Sequence, residues 1–112
     1  MHLTQIDAYL LTFAVEGSAA FALAPLVGMG RVRAAVAAVL GSAVTHPIVW
    51  AGALALYPLW PASLVILLME AFAAAAETVA YRVATRADWA RCALISISVN
   101  ALSWGLGVVI QA

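Results

Sequence analysis

PASLVILLMEAFAAAAETVAYRVA, residues 61–84, is apolar along almost its whole length yet carries two carboxylates, Glu70 and Glu77. At 1.5 Å of rise per residue, such a run crosses the ~30 Å hydrocarbon core of a bilayer as one α-helix. Pro61 opens it at a favourable first-turn position. A carboxylate at the bilayer centre costs roughly 2.5–3.5 kcal/mol on insertion scales. A span that keeps two of them therefore has partners for them or work for them.

Three further apolar runs surround this one. Residues 6–27 end at Gly28-Met29-Gly30, residues 34–57 stop at Pro58, and residues 90–110 follow a short loop with Arg86, Asp88 and Trp89. Charged residues make up 9% of the chain, where a soluble domain carries about a quarter. With 112 residues and ~20 per span, four helices occupy nearly everything, and a soluble catalytic domain has no room. The expectation is an all-α fold: a four-transmembrane-helix bundle, one integral membrane domain over 1–112, with antiparallel neighbours because the connections are short. Ala22-Leu23-Ala24 has the small-x-small look of a signal cleavage site. No basic residue precedes the first run, however, and that run is longer than a signal core, so it reads as a permanent span. Cys92, the single cysteine, excludes an intrachain disulfide and a multi-cysteine metal site.

All five basic residues are arginines, and their placement orients the bundle. Arg31 and Arg33 follow the first run, and Arg82, Arg86 and Arg91 bracket the gap after the third. The connection Tyr57-Pro58-Leu59-Trp60-Pro61 carries no charge. Four spans put the first and third loops on one side, which the positive-inside rule makes cytoplasmic, with both termini outside. Tyr9, Tyr57, Trp60 and Trp89 fall near the interfaces, where amphipathic rings settle.

At one constant offset the two halves answer each other: Glu16 falls on Glu70, Ser42 on Ser96, His46 on Asn100 and Trp50 on Trp104. The reading is two helical-hairpin repeats in parallel topology, about 6–57 and about 61–110. Counted along each span, Glu16, His46, Glu70 and Asn100 are expected in one central layer. Glu77 lies two turns past Glu70 on the same face, with Tyr81 one turn further, as a step toward the arginine side. Ser42 and Thr45 flank His46, Ser96 and Ser103 share a stripe with Asn100, and Pro47 frees a backbone acceptor beside His46.

Three glutamates with no Lys or Arg beside them inside the membrane cannot all remain charged and unpaired. Either protons neutralise them, with Asn100, His46 and hydroxyls as hydrogen-bond partners, or a cation completes the site. A divalent metal ion on Glu16, His46 and Glu70 suits such oxygen and imidazole donors. Proton and cation would compete for the same oxygens, the elementary requirement for a proton-coupled transporter or channel acting at Glu16, His46, Glu70, Glu77 and Asn100. Repeat-built transporters place their sites at the repeat interface near the midplane. Four helices are few to enclose a pathway, which points to a homo-oligomer in the bilayer. The alternative is a non-catalytic subunit or assembly factor of a larger membrane complex, with the polar layer as interhelical glue. An enzyme is not expected: one mid-span histidine without a His-x-x-x-His pair provisions a catalytic metal poorly. Nucleic-acid binding lacks a basic surface.

Glu16, Arg31, Thr45-His46-Pro47, Glu70, Glu77, Tyr81, Ser96, Asn100 and Ser103 together resemble a group of small four-span bacterial inner-membrane proteins without assigned activity. That resemblance covers nearly the whole chain and implies a bacterial inner-membrane location, but no mechanism. In the group the second-helix motif often carries asparagine where this chain has His46. Length and the first-helix glutamate are also similar to small multidrug resistance transporters. Here, though, Glu70 and Glu77 sit in an alanine run where those proteins carry a Trp/Gly-containing third helix.

Overall fold

Pro25 and Gly28 decide how the first span ends. The computed structural model describes residues 5–111. In it helix α1 covers Gln5–Leu23 and tightens into a 3-10 turn over Ala24–Val27. Pro25 has no N–H, and its ring crowds the carbonyl four residues back, which favours leaving the α-helix at this point. Gly28 then takes the left-handed conformation at φ 68°, and Met29 N–H returns to the Ala24 carbonyl at 2.9 Å. A Cβ at Gly28 would also meet Arg91 Nη1 at 2.9 Å.

Helix α2 spans Arg31–Leu56, α3 spans Ala62–Thr85 and α4 spans Trp89–Gln111, with no strand among the described residues. All four spans are long and apolar enough to cross a membrane, and the protein is a multi-pass membrane protein. Two boundaries differ from expectation. Arg31 and Arg33 belong to the first turn of α2, because extended Gly30 releases the chain directly into residues with good helix propensity. α4 starts at Trp89, because Asp88 caps it: its Oδ1 accepts the Arg91 backbone N–H at 2.8 Å, and its Oδ2 pairs with Arg91 Nε at 3.1 Å. The Arg91 backbone N–H, then its guanidinium, hold the Asp88 carboxyl below the usual range. α2 passes through Pro47 without interruption.

Each helix packs on its sequence neighbours, and α1 closes the ring against α4. The molecule is 41 Å long by 25 by 19 Å, a fit to the ~40–45 Å of a bilayer with its headgroups. The arginines gather at one end, where they also tie the helices together. Arg91 Nη1 donates to the Val27 and Gly28 carbonyls at 3.1 and 3.3 Å, and Arg82 Nη1 donates to the Ala87 carbonyl at 2.7 Å. Cations at such carbonyl-rich helix ends are favoured by the helix dipole. Residues 1–4 and 112, on which the expected placement of the termini bears, lie outside the described residues.

The buried apolar cluster fills the arginine half of the bundle, with Ala20, Ala24, Ala34, Ala37 and Ala38 packed around Tyr81, Cys92, Ile95 and Val99. Small side chains let membrane helices approach closely and gain dispersion contacts that lipid cannot supply. Larger residues such as Leu10, Leu26, Val44, Leu67 and Leu94 point outward, as lipid-facing positions should. The other half of the bundle is less tightly filled, and the polar residues lie there.

Candidate functional site

Gly41 brings α2 and α3 together at the level of the site. A Cβ at this position would meet Glu77 Cγ at 3.0 Å and Ala80 Cβ at 3.3 Å. Without it, α3 settles onto the small-residue face of α2 and delivers the Glu77 carboxyl beside Ser42 and Thr45. Ser42 Oγ donates to Glu16 Oε2 at 2.9 Å and lies 3.4 Å from Glu77 Oε1. Thr45 Oγ1 approaches Glu77 Oε2 at 3.4 Å. Three helices thus converge on one pair of carboxyls, and Glu16, Ser42, Thr45 and Glu77 are all less than 5% exposed. α4 adds buried Asn100, which stands within the electrostatic surroundings of Glu77. Its Nδ2 donates to the Ser96 carbonyl at 2.8 Å.

These groups form the floor of a cavity of about 480 Å³. Its wall rises through Thr12, His46, Glu70, Ser103 and Trp104 to Tyr57 and Gly107. The cavity therefore extends toward the arginine-free end of the bundle, and no Lys or Arg lines it. Beyond the floor, Tyr81 is fully buried in the alanine-rich cluster, one turn nearer the arginines. The polar route stops there.

The layer expected from Glu16, His46, Glu70 and Asn100 divides into two levels. Glu16 and Asn100 sit at the floor with Glu77. His46 stands about one turn above Ser42, and Glu70 about two turns above Glu77, on the cavity wall. His46 packs its ring on Tyr9, with centroids 4.3 Å apart, and lies 6.1 Å from the Trp50 ring. Among the described residues no three His, Cys, Asp or Glu side chains are placed to hold a metal ion. Glu16, His46 and Glu70 do not form the divalent-metal ligand set expected of them, because His46 turns into this aromatic stack while Glu16 turns to Ser42 and Glu77. Ser96 Oγ donates to the Ala74 carbonyl at 2.7 Å, joining α4 to α3. The Glu16–Ser42 contact is thus not repeated at Glu70 and Ser96.

Among the described residues three buried polar atoms lack a hydrogen-bond partner: Glu16 Oε1, His46 Nδ1 and the Tyr81 hydroxyl. Leaving such groups unpaired costs free energy, and two of them, Glu16 and His46, belong to residues that line the cavity. Gly41, Thr12 and Trp104 carry parts of the site that the polar pattern alone did not single out. Gly41 had a readable signal, since Ala34, Ala37 and Ala38 precede it at helical spacing and Ser42 follows it.

No protein family, curated protein or solved structure matches this chain. Fold and site by themselves define a class: a small four-helix membrane protein with an acid-floored cavity in one half and a packed apolar seal in the other.

Proposed function

We propose that this chain is a non-enzymatic transporter or channel that moves protons or a small cation across the bacterial inner membrane. The observation supporting this reading is a buried pair of carboxyls, Glu16 and Glu77, on the floor of a polar cavity that no Lys or Arg lines. Ser42 has a single hydroxyl proton for two carboxyl neighbours, so it can donate to one only. Two bare carboxylates that both reach one Ser42 hydroxyl repel each other, and burial out of water strengthens that repulsion. One proton held between the pair removes that repulsion and lets Ser42 accept from one carboxyl while donating to the other. A cation reaching the floor displaces that proton, and the exchange couples the two species. Glu70 and His46 are the upper stations, and Thr45 and Asn100 hold the pair in place. Alternating access requires the alanine-rich seal around Tyr81 to open toward the arginine end, which we read as cytoplasmic, with both termini on the other side. On this account the two hairpins are parallel-topology repeats that have diverged at the site, and the working unit is a homo-oligomer.

Reconstitution into liposomes with a pH-sensitive dye inside tests the proposal. Glu16→Gln and Glu77→Gln are expected to abolish flux while leaving the oligomer intact, and Glu70→Gln to reduce it less. Full flux in both floor variants would sink it.

A second reading has its own observation. An apolar groove of about 860 Å³ lies between α3 and α4, walled by Ala71, Ala74, Ala75, Ala93 and Ala101, with Glu70 and Asn100 at its inner edge. Such a groove suits a partner helix and favours a subunit or assembly factor of a larger complex. Purification in mild detergent with a second polypeptide at fixed stoichiometry, and no flux from the chain alone, would favour it.

A further inference from the structure

A proton or a bare ion leaves most of the cavity unexplained. Its ~480 Å³ falls in the range of small-molecule sites, roughly 300–1,000 Å³. Its chemistry is graded along its length. The floor holds the two carboxyls, Glu70 adds a third above them, and Val49, Ile66, Trp104 and Val108 supply apolar wall. No Lys or Arg lines it to neutralise that acid. The second observation is the orphaned Glu16 Oε1, an acceptor without a donor on a residue only 3% exposed.

We infer that the cavity binds a small protonated primary amine with an apolar body, its ammonium group seated on the Glu16–Glu77 floor. Charge selects a cation. The orphan acceptor selects one that carries N–H donors: a primary ammonium has three, enough for Glu16 Oε1, a Glu77 oxygen and the Ser42 hydroxyl. A quaternary ammonium has none, so it leaves Glu16 Oε1 unpaired in a desolvated place. An alkali ion satisfies the floor and leaves the apolar wall empty. The body of the amine lies along Ile66 and Trp104, between the floor and the arginine-free end. This inference rests on reading the carboxyl pair as a cation site, and it adds which cation.

The test uses the full-length protein in nanodiscs and measures binding of three probes: phenethylammonium, its N,N,N-trimethyl analogue and neutral N-acetylphenethylamine. Saturable binding of phenethylammonium is expected, about tenfold or more tighter than either analogue, and lost in Glu16→Gln. The comparison among probes is made on the unaltered protein, so it stands even where the variant fails to fold. Equal affinity for the trimethyl analogue overturns the proposal, because charge alone would then be recognised. Equal affinity for the neutral amide overturns it as simple partitioning. Proton flux from the same preparation separates the two readings. Flux that requires Glu16, without amine binding, overturns the amine site and leaves the proton pathway. Amine binding without flux supports the site and removes the transport reading.

Discussion

Adding one methyl group at Gly41 probes how the site is assembled. In Gly41→Ala the new Cβ meets Glu77 Cγ at 3.0 Å and Ala80 Cβ at 3.3 Å, so these facing side chains of α3 must give by a few tenths of an ångström. Overpacking of this kind costs about 1–3 kcal/mol. Replacing Gly by Ala inside a helix returns roughly 0.5–1 kcal/mol of propensity, leaving a net loss between about 0 and 2.5 kcal/mol. The functional effect is expected to be larger than the stability effect. Glu77 contacts Ser42 and Thr45 at 3.4 Å in both cases, near the outer limit for a hydrogen bond, and a shift of the Glu77 side chain away from α2 breaks both. A Cβ at Gly105 or Gly107 would meet nothing within 4 Å, so Gly105→Ala and Gly107→Ala keep only the propensity gain. Thermal unfolding in one detergent, beside liposome flux, reads both effects. Gly41→Ala should be the least stable of the three and lose most of its flux, with the other two at or above the parent. If Gly41→Ala matches Gly105→Ala in stability and flux, the close approach of α2 and α3 does not set the site.

Tyr81→Phe removes a buried hydroxyl that has no partner, so stability should stay within about 0.5 kcal/mol of the parent or rise; a loss above 1 kcal/mol in denaturant titration would mean the hydroxyl is bonded. Gly28→Ala forces a Cβ into the left-handed region at φ 68° and should cost about 1–2 kcal/mol, read as a lowered unfolding temperature. Asp88 is held below its ordinary pKa in the folded protein, chiefly by the Arg91 backbone N–H. Its contribution to stability is therefore complete above the unfolded value of roughly 4 and disappears as pH falls through the folded value. Asp88→Asn should unfold with a flatter pH profile below roughly pH 4 than the parent, and identical profiles would show that the cap is not charge-assisted.

The four spans were legible because a membrane imposes length and apolarity on every helix that crosses it, and nothing else in so short a chain competes with that signal. Helix ends were less legible. Pro25 changes the last turn of the first span within an apolar run, and the capping role of Asp88 depends on the Arg91 backbone reaching back to it. At the site, Glu16, Ser42 and Asn100 could be placed by counting residues. Glu70 and Glu77 could not be told apart in this way: they lie on one face of one helix, and counting from the start of the third span favoured Glu70. Counted from the arginine end, where all four helices are tied, Glu77 comes nearest the level of Glu16, Ser42 and Asn100. The contact at Gly41 then decides between the two glutamates. The Tyr9–His46 stack joins α1 to α2 through helix rotation, which no one-dimensional pattern specifies.

The central claim is that Glu16 and Glu77, from separate helices, form one buried site that holds a single proton. Infrared spectroscopy of the protein in lipid at neutral pH, in the carboxylic C=O stretching region, tests it most directly. The account predicts one protonated-carboxyl band that disappears in Glu16→Gln and equally in Glu77→Gln, and survives in Glu70→Gln. A band lost only in Glu70→Gln, or untouched by both floor substitutions, would contradict it.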